Sequence, residues 1–168
     1  MPDETAQVFL GLVNANKAIV HKITKMYMDN SEDQKDLFQE IVLQLWKAYP
    51  GFKGNSKFST WMYRVALNTA LVFFKKESRK VGQTELHENI DIVDWSDNHD
   101  QEERLAHLYK AVHELNKIEK ALIFLFLENQ SHKEIAQNLG ITEVNARVKL
   151  NRTKEKLQHI IKKNGYEF

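Results

Sequence analysis

SHKEIAQNLGITEVNARVKLNRTKEKL, residues 131–157, is the stretch that decides the fold of the C-terminal part of the chain. Ser131 and Glu134 form the S-x-x-E pattern of a capping box, which predicts that a helix begins after Ser131. Gly140 stands where a helix can end in the left-handed conformation, and Thr142 can cap a second helix. This order of elements predicts a helix-turn-helix, although a helical hairpin with a solvated basic face has the same pattern.

The second helix of this stretch has two chemically different faces. Ala146, Leu150, Thr153 and Leu157 recur at helical spacing and predict a buried stripe. The basic and amide side chains on the other face suit the bases and phosphates of duplex DNA, and a valine there can contact a thymine methyl group. We expect DNA contacts from Asn145, Arg147, Val148, Lys149, Asn151, Arg152 and Lys154.

Composition limits the class of protein. The 168 residues allow one or two small domains, and 42% hydrophobic residues with only two prolines are typical of a globular chain. The absence of cysteine excludes disulfides and thiolate metal sites. No apolar run reaches the roughly 20 residues of a membrane span, and the acidic N-terminus lacks a signal-peptide pattern. We therefore predict a cytoplasmic protein without direct membrane insertion.

The net charge of +1 conceals a segregation of charge along the chain. Residues 85–103 contain eight acids and no Lys or Arg, whereas residues 47–80 contain eight basic residues and one acid. Residues 132–163 again contain eight basic residues, with three acids. Two basic blocks favour phosphate-bearing partners. The acidic segment between them is either a soluble tether or a mimic of nucleic acid.

Helical periodicity dominates the remaining sequence, and no strand alternation is evident. Ser31, Ser56 and Asn116 are expected to cap helices, and the first helix is expected to break near residues 14–16. The predicted fold is all-α, with two small helical domains joined by a flexible acidic linker. We place the domains at residues 1–80 and 102–168 and the linker at residues 81–101.

Three ordered motifs resemble bacterial RNA polymerase sigma factors of the sigma-70 family, in the extracytoplasmic-function group. DLFQE at residues 36–40, followed by Trp46, is similar to the D-L-x-Q-E-x-x-x-x-x-W signature. FKGNSKFSTWMYRVALN at residues 52–68 is similar to the block F-x-G-x-S-x-F-x-T-W-L-Y-R-I-A-x-N, with Met62 in place of leucine. The helix-turn-helix is the third motif. There Ala146 replaces the usual valine, and the outward residues depart from the common R-x-R pattern.

The resemblance implies that the first domain reads and melts the −10 promoter element. Cations can neutralise phosphates there, and aromatic rings can stack on unpaired bases. Tyr63 and Asn68 are the preferred candidates because they lie off the apolar stripe, whereas Trp61 can equally be a core residue. Residues 75–80 can also be a solvated helix end. The expected contacts are Lys57, Trp61, Tyr63, Arg64, Asn68, Lys75, Lys76 and Arg79.

The resemblance also implies partners. The second domain would read the −35 element, and a five-residue edge would bind the clamp helices of core RNA polymerase. An acidic helix start that favours the helix dipole is the alternative explanation of that edge. An anti-sigma factor is typical of the group. The expected polymerase contacts are Asp36, Leu37, Phe38, Gln39 and Glu40.

No catalytic pattern is present, because neither an H-E-x-x-H motif nor a phosphate-binding loop occurs. We expect no enzyme activity, no cofactor, no metal and no small-molecule substrate. The function predicted is promoter-specific transcription initiation with core RNA polymerase and promoter DNA. A stand-alone helix-turn-helix regulator is the alternative, and a helical interaction protein that no longer binds DNA is a third hypothesis.

Overall fold

A computed structural model describes residues 3–80 and 99–165, with the side chains of residues 74–80 and 99 left out of that description. The chain divides into two compact units between residues 90 and 91. Over the described residues every regular element is helical, which confirms the all-α prediction. None of these helices is both long and apolar enough to cross a membrane. The elements are α1 Glu4–Ala15, α2 Lys17–Tyr27, α3 Ser31–Ala48, a 3-10 turn Tyr49–Gly51, α4 Phe58–Lys80, α5 His99–His113, α6 Lys117–Leu127, α7 His132–Leu139 and α8 Glu143–Lys163.

The first unit begins with two helices separated at Asn16, as the sequence predicts. The Asn16 side chain donates to the Leu12 carbonyl oxygen at 2.9 Å. The predicted cap of α3 is wrong by one residue, because Asn30 rather than Ser31 occupies the N-cap. Asn30 Oδ1 accepts from the Asp33 amide at 2.8 Å. Asn and Ser are equally good caps, so the sequence alone does not choose between adjacent ones.

The core of the first unit lies between α2, α3 and α4. Ser56 does not cap α4, because the helix begins at Phe58 and the Ser56 hydroxyl donates to the Lys57 carbonyl oxygen at 3.3 Å. Helical spacing predicts a buried stripe on α4 that includes Val72 but not Leu67. Leu67 is buried whereas Val72 is exposed, so the buried face of this helix is rotated from the predicted stripe. The largest fully buried side chains of this unit are Val20, Ile23, Leu37, Ile41, Leu45, Met62 and Leu67.

The second unit contains α5 to α8. Helix α5 begins at His99, so the last three residues of the predicted linker are helical, and the rest of that linker lies outside the described residues. The predicted cap of α6 at Asn116 is confirmed and forms a complete capping box. Asn116 Oδ1 accepts from the Glu119 amide and Glu119 Oε2 accepts from the Asn116 amide, both at 2.9 Å. The largest fully buried side chains here are Leu122, Leu125, Ile135 and Leu150.

Candidate nucleic-acid interface

Helices α7 and α8 form the predicted helix-turn-helix. The capping box of α7 is complete, because Glu134 Oε2 accepts from the Ser131 amide at 2.7 Å and Ser131 Oγ accepts from the Glu134 amide at 3.2 Å. Gly140 ends α7 with φ 67° and ψ 36°, a left-handed conformation that a side chain would strain. Thr142 Oγ1 then accepts from the Asn145 amide at 3.1 Å and starts α8.

The two faces of α8 follow the prediction. Ala146, Leu150 and Thr153 are buried, and Leu157 is half-buried. The seven residues expected to contact DNA lie away from this stripe. Six are exposed and Lys154 is half-buried: Asn145, Arg147, Val148, Lys149, Asn151 and Arg152 form the exposed set.

Two of these basic side chains have contacts within the unit. An Arg147 guanidinium nitrogen lies 3.8 Å from Glu143 Oε1, one turn earlier on α8. Lys154 Nζ lies 3.7 Å from the centroid of the Phe126 ring on α6. A cation over an aromatic face is attracted by the ring quadrupole, so Lys154 joins α8 to α6 in addition to any external contact.

The second candidate surface follows one face of α4 and the residue before it. Lys57, Trp61, Arg64 and Asn68 recur every three or four residues and therefore share a face. Lys57, Arg64 and Asn68 are exposed and Trp61 is half-buried. Tyr63 does not lie off the buried face as expected, because this residue is only 7% exposed. The side chains of Lys75, Lys76 and Arg79 lie outside the described residues.

Trp61 is both a packing residue and a surface residue. Its ring centroid lies 5.1 Å from that of Phe52 and 5.3 Å from that of Phe58. These contacts hold the indole while part of it remains accessible. In the sequence, the helical spacing of Trp61 from Lys57, Arg64 and Asn68 already favours Trp61 over Tyr63 as the aromatic residue of this surface.

The acidic edge of α3 is the third candidate surface. Asp36 and Gln39 are exposed, and Phe38 and Glu40 are half-buried. Leu37 is 0% exposed and belongs to the core, on the same face of α3 as the buried Ile41 and Leu45. Glu40 Oε1 accepts from Gln44 Nε2 at 2.8 Å, one turn later. Four of the five residues of this edge are therefore at least partly accessible to solvent.

Phe38 connects this edge to two neighbouring features. Its ring stacks on His21 of α2 with centroids 4.7 Å apart. Burial, together with Lys25 and Lys17, lowers the pKa of His21. Phe38 and Gln39 also line an open apolar groove of about 480 Å³ whose other walls include Phe9, Leu10 and Trp46.

Two family models match the chain, one in each of its two units. Sigma-70 region 2 matches residues 12–80, and Sigma-70, region 4 matches residues 105–157. The ECF RNA polymerase sigma-E factor of Haemophilus influenzae is 26% identical over 141 residues, which cover 77% of this chain and 75% of that protein. The chain belongs to the sigma-70 family, in its extracytoplasmic-function (ECF) group.

Other ECF sigma factors match shorter segments. The ECF RNA polymerase sigma factor SigG of Mycobacterium tuberculosis is 46% identical over 48 residues, which are 29% of this chain and only 13% of SigG. The ECF RNA polymerase sigma-E factor of Escherichia coli is 38% identical over 50 residues, which cover 30% of this chain and 26% of that protein.

Two solved structures share the fold of this sigma-70 family member. The sigma factor RpoE of Bartonella quintana, in complex with the anti-sigma factor NepR, has a TM-score of 0.71 at 18% identity. That comparison covers 95% of this chain and 97% of the other. CnrH, in complex with the cytosolic domain of CnrY, has a TM-score of 0.67 at 16% identity, covering 94% and 89%.

Proposed function

We propose that this chain is an ECF-type sigma factor that binds core RNA polymerase and directs promoter-specific initiation of transcription. One observation carries the proposal: a helix-turn-helix whose second helix is anchored by buried residues and exposes basic and amide side chains. The membership of the chain in the sigma-70 family supports this function over that of a stand-alone regulator.

Helix α8 would read the −35 element in the major groove. The N-terminal part of a recognition helix contacts base edges, and here this part carries Arg147 and Asn151. Arg donates two hydrogen bonds to guanine, and Asn pairs with adenine. Arg152 would make a further contact at or near a base edge, and Lys149 would neutralise a phosphate on the flank. The base contacts of Asn145 and Val148 and the phosphate contact of Lys154 belong to the same proposal.

The α4 face would hold the −10 element after it melts. Lys57 and Arg64 supply charge for the backbone, and the accessible part of Trp61 supplies a stacking surface. Asn68 can donate and accept at the edge of an unpaired base. Stacking gives about 1–3 kcal/mol per base, and unstacking costs a few kcal/mol, so a few such contacts would trap open DNA.

The remaining roles follow from the same proposal. The clamp helices of the polymerase would be contacted by Asp36, Phe38, Gln39 and Glu40. Residues 1–80 and residues 102–168 would act as separate domains. The intervening residues 81–101 would act as linker. An anti-sigma factor would regulate the chain in the cytoplasm. The polymerase, rather than this chain, would supply the catalytic groups for RNA synthesis.

Run-off transcription with purified core polymerase tests the proposal. The templates are a library of promoters with randomised −35 and −10 elements, and the expected result is enrichment of particular sequences in the transcripts. Transcript levels equal to those of core enzyme alone, on every template, would refute it. Tight duplex binding without polymerase would instead support the stand-alone regulator.

A charge-matched pair of variants locates the −35 contact. Arg147→Ala with Arg152→Ala removes two cations from the outward face and should abolish the −35 preference. Lys162→Ala with Lys163→Ala removes the same charge from the exposed C-terminal end of the same helix and should preserve it. An equal loss of −35 preference in both double variants would mean that total charge, rather than the position of the cations on α8, determines this preference.

A further inference from the structure

The outward face of α8 carries an exposed apolar pair, Val144 and Val148, one helical turn apart. Val144 is 68% exposed and Val148 is 41% exposed. The buried stripe runs through Ala146 and Leu150, and helical spacing places both valines on the opposite side. A β-branched residue is a weak helix former, Val144 gains little burial and Val148 is covered only in part, so folding alone does not explain this pair.

The surroundings of the pair indicate the kind of partner. Arg147 and Asn151 lie on one flank, and Asn145 and Arg152 lie on the other, all of them exposed. A protein-binding core is depleted of charge, whereas a DNA-reading face combines flanking cations with short apolar contacts. The flanking charges therefore favour DNA over the apolar face of a protein.

Only one base offers an apolar group in the major groove. Thymine presents its C5 methyl group there, and the other three bases present hydrogen-bonding atoms without a methyl group. The Cβ atoms of residues four apart on a helix are about 5–6 Å apart, and successive bases on one strand rise by about 3.4 Å. The pair can therefore meet methyl groups that are one or two base steps apart.

Resting on the promoter-binding function proposed above, we propose that Val144 and Val148 together select two thymines within two base pairs of each other in the −35 element. Each valine packs against one C5 methyl group, while the flanking Arg and Asn side chains make the polar contacts with DNA proposed above. Val144 is thus a specificity-determining residue of the −35 reader.

Replacing thymine by deoxyuridine tests this inference, because the exchange removes only the methyl group. The probe is a promoter enriched from the library above, with each −35 thymine on either strand replaced in turn, and the measurement is its affinity for the holoenzyme. Burial of one methyl group predicts affinity about fourfold weaker at each of two nearby thymines and no change elsewhere.

The variants assign each thymine to a valine. Val144→Ala should abolish the sensitivity to deoxyuridine at one of the two thymines, and Val148→Ala should abolish it at the other. Val8→Ala is the matched control, since Val8 is an exposed valine of α1 in the first unit. It should leave both sensitivities intact.

Two results would overturn the inference alone. In the first, the holoenzyme enriches a −35 sequence but binds thymine and deoxyuridine equally at every position. In the second, the valine variants weaken binding to both probes by the same factor, which would indicate a protein contact or a structural role. A library that yields no promoter would instead overturn the proposed function and, with it, this reading of α8.

Discussion

At the scale of the single residue, Asn138 is the least satisfied side chain of the second unit. It lies in α7, is 7% exposed, and its Oδ1 and Nδ2 atoms have no hydrogen-bond partner among the described residues. Burying an amide without partners costs about 1–3 kcal/mol. The sequence does not predict the burial of this amide, because an asparagine near a helix end is usually a solvated or capping residue.

Asn138→Leu should therefore stabilise the second unit by about 1 kcal/mol, since leucine has a similar shape and no polar atoms to desolvate. Chemical denaturation followed by circular dichroism measures the change in the free energy of unfolding. Gln158→Leu, at an exposed position of α8, is the control and should give no gain. A loss of stability in Asn138→Leu would show that the amide is satisfied in solution.

His21 gives a pH-dependent prediction. Because its pKa in the folded state is below 6.5, the unfolded chain takes up a proton first as the pH falls. Its contribution to the stability of the first unit is then present above the unfolded pKa and is lost as the pH falls through the folded one.

Hydrogen exchange of α2 and α3 amides at about pH 7.5 and about pH 5.5 measures this loss, after correction for intrinsic rates. The decrease in protection should be smaller in His21→Gln, which does not titrate. His159→Gln, in the second unit, should behave as the parent chain does. An identical decrease in all three proteins would exclude His21 as the source.

At the scale of the element, helix starts were predictable where the signal is local and reciprocal. The pairs Ser131 with Glu134 and Asn116 with Glu119 are such signals, and both form complete capping boxes. The same spacing is not sufficient by itself, because Ser31 with Gln34 also has it and yet Asn30 occupies the N-cap of α3. Ser56, which has no such partner, does not cap α4. Helix faces were harder to predict, since Tyr63 was expected to lie off the apolar stripe of α4 and is instead buried in the unit whose core lies between α2, α3 and α4.

Glu119 differs from Glu134 in joining two helices. Besides its capping role, Glu119 Oε2 lies 2.9 Å from Lys156 Nζ on α8. Glu119→Ala should cost about 1 kcal/mol for the cap and about 0.5 kcal/mol for the partly exposed ion pair. Glu134→Ala, at the same position of its own capping box, should cost the cap alone.

Denaturation of the two variants, each with and without Lys156→Ala, separates the contributions. The difference between Glu119→Ala and Glu134→Ala should disappear in the Lys156→Ala background, because the interhelical pair is then absent from both. If the difference in the free energy of unfolding persists in the Lys156→Ala background, it comes from the two capping boxes rather than from the interhelical ion pair.

At the scale of the whole molecule, the distribution of charge would determine how strongly the free chain binds DNA. The net charge is +1 although both basic blocks are strongly positive, because residues 85–103 supply eight acids. Non-specific affinity depends on the phosphates neutralised and therefore on salt. The free chain should accordingly bind duplex DNA weakly.

Replacing those eight acids by their amides should tighten non-specific binding of the free chain to duplex DNA and steepen its dependence on salt. Fluorescence anisotropy over a salt series measures both. Replacing eight exposed acids outside residues 85–103 by their amides is the control for total charge. An equal increase in affinity and salt dependence in this control would show that the position of the acids along the chain has no influence on DNA binding.

The contacts of Trp61 with Phe52 and Phe58 extend to three more rings of the first unit, and this series of six aromatic rings has a spectroscopic consequence. Its members are Phe9, Trp46, Tyr49, Phe52, Phe58 and Trp61. Trp46 touches Phe9 with centroids 5.0 Å apart, and Tyr49 lies within 6.5 Å of both Trp46 and Trp61. One indole borders the apolar groove and the other lies on the α4 face. With Trp95→Phe removing the third emitter, the intrinsic fluorescence of the free chain would come from these two indoles alone. Single-stranded DNA that stacks on the α4 face would then change this emission without any added label.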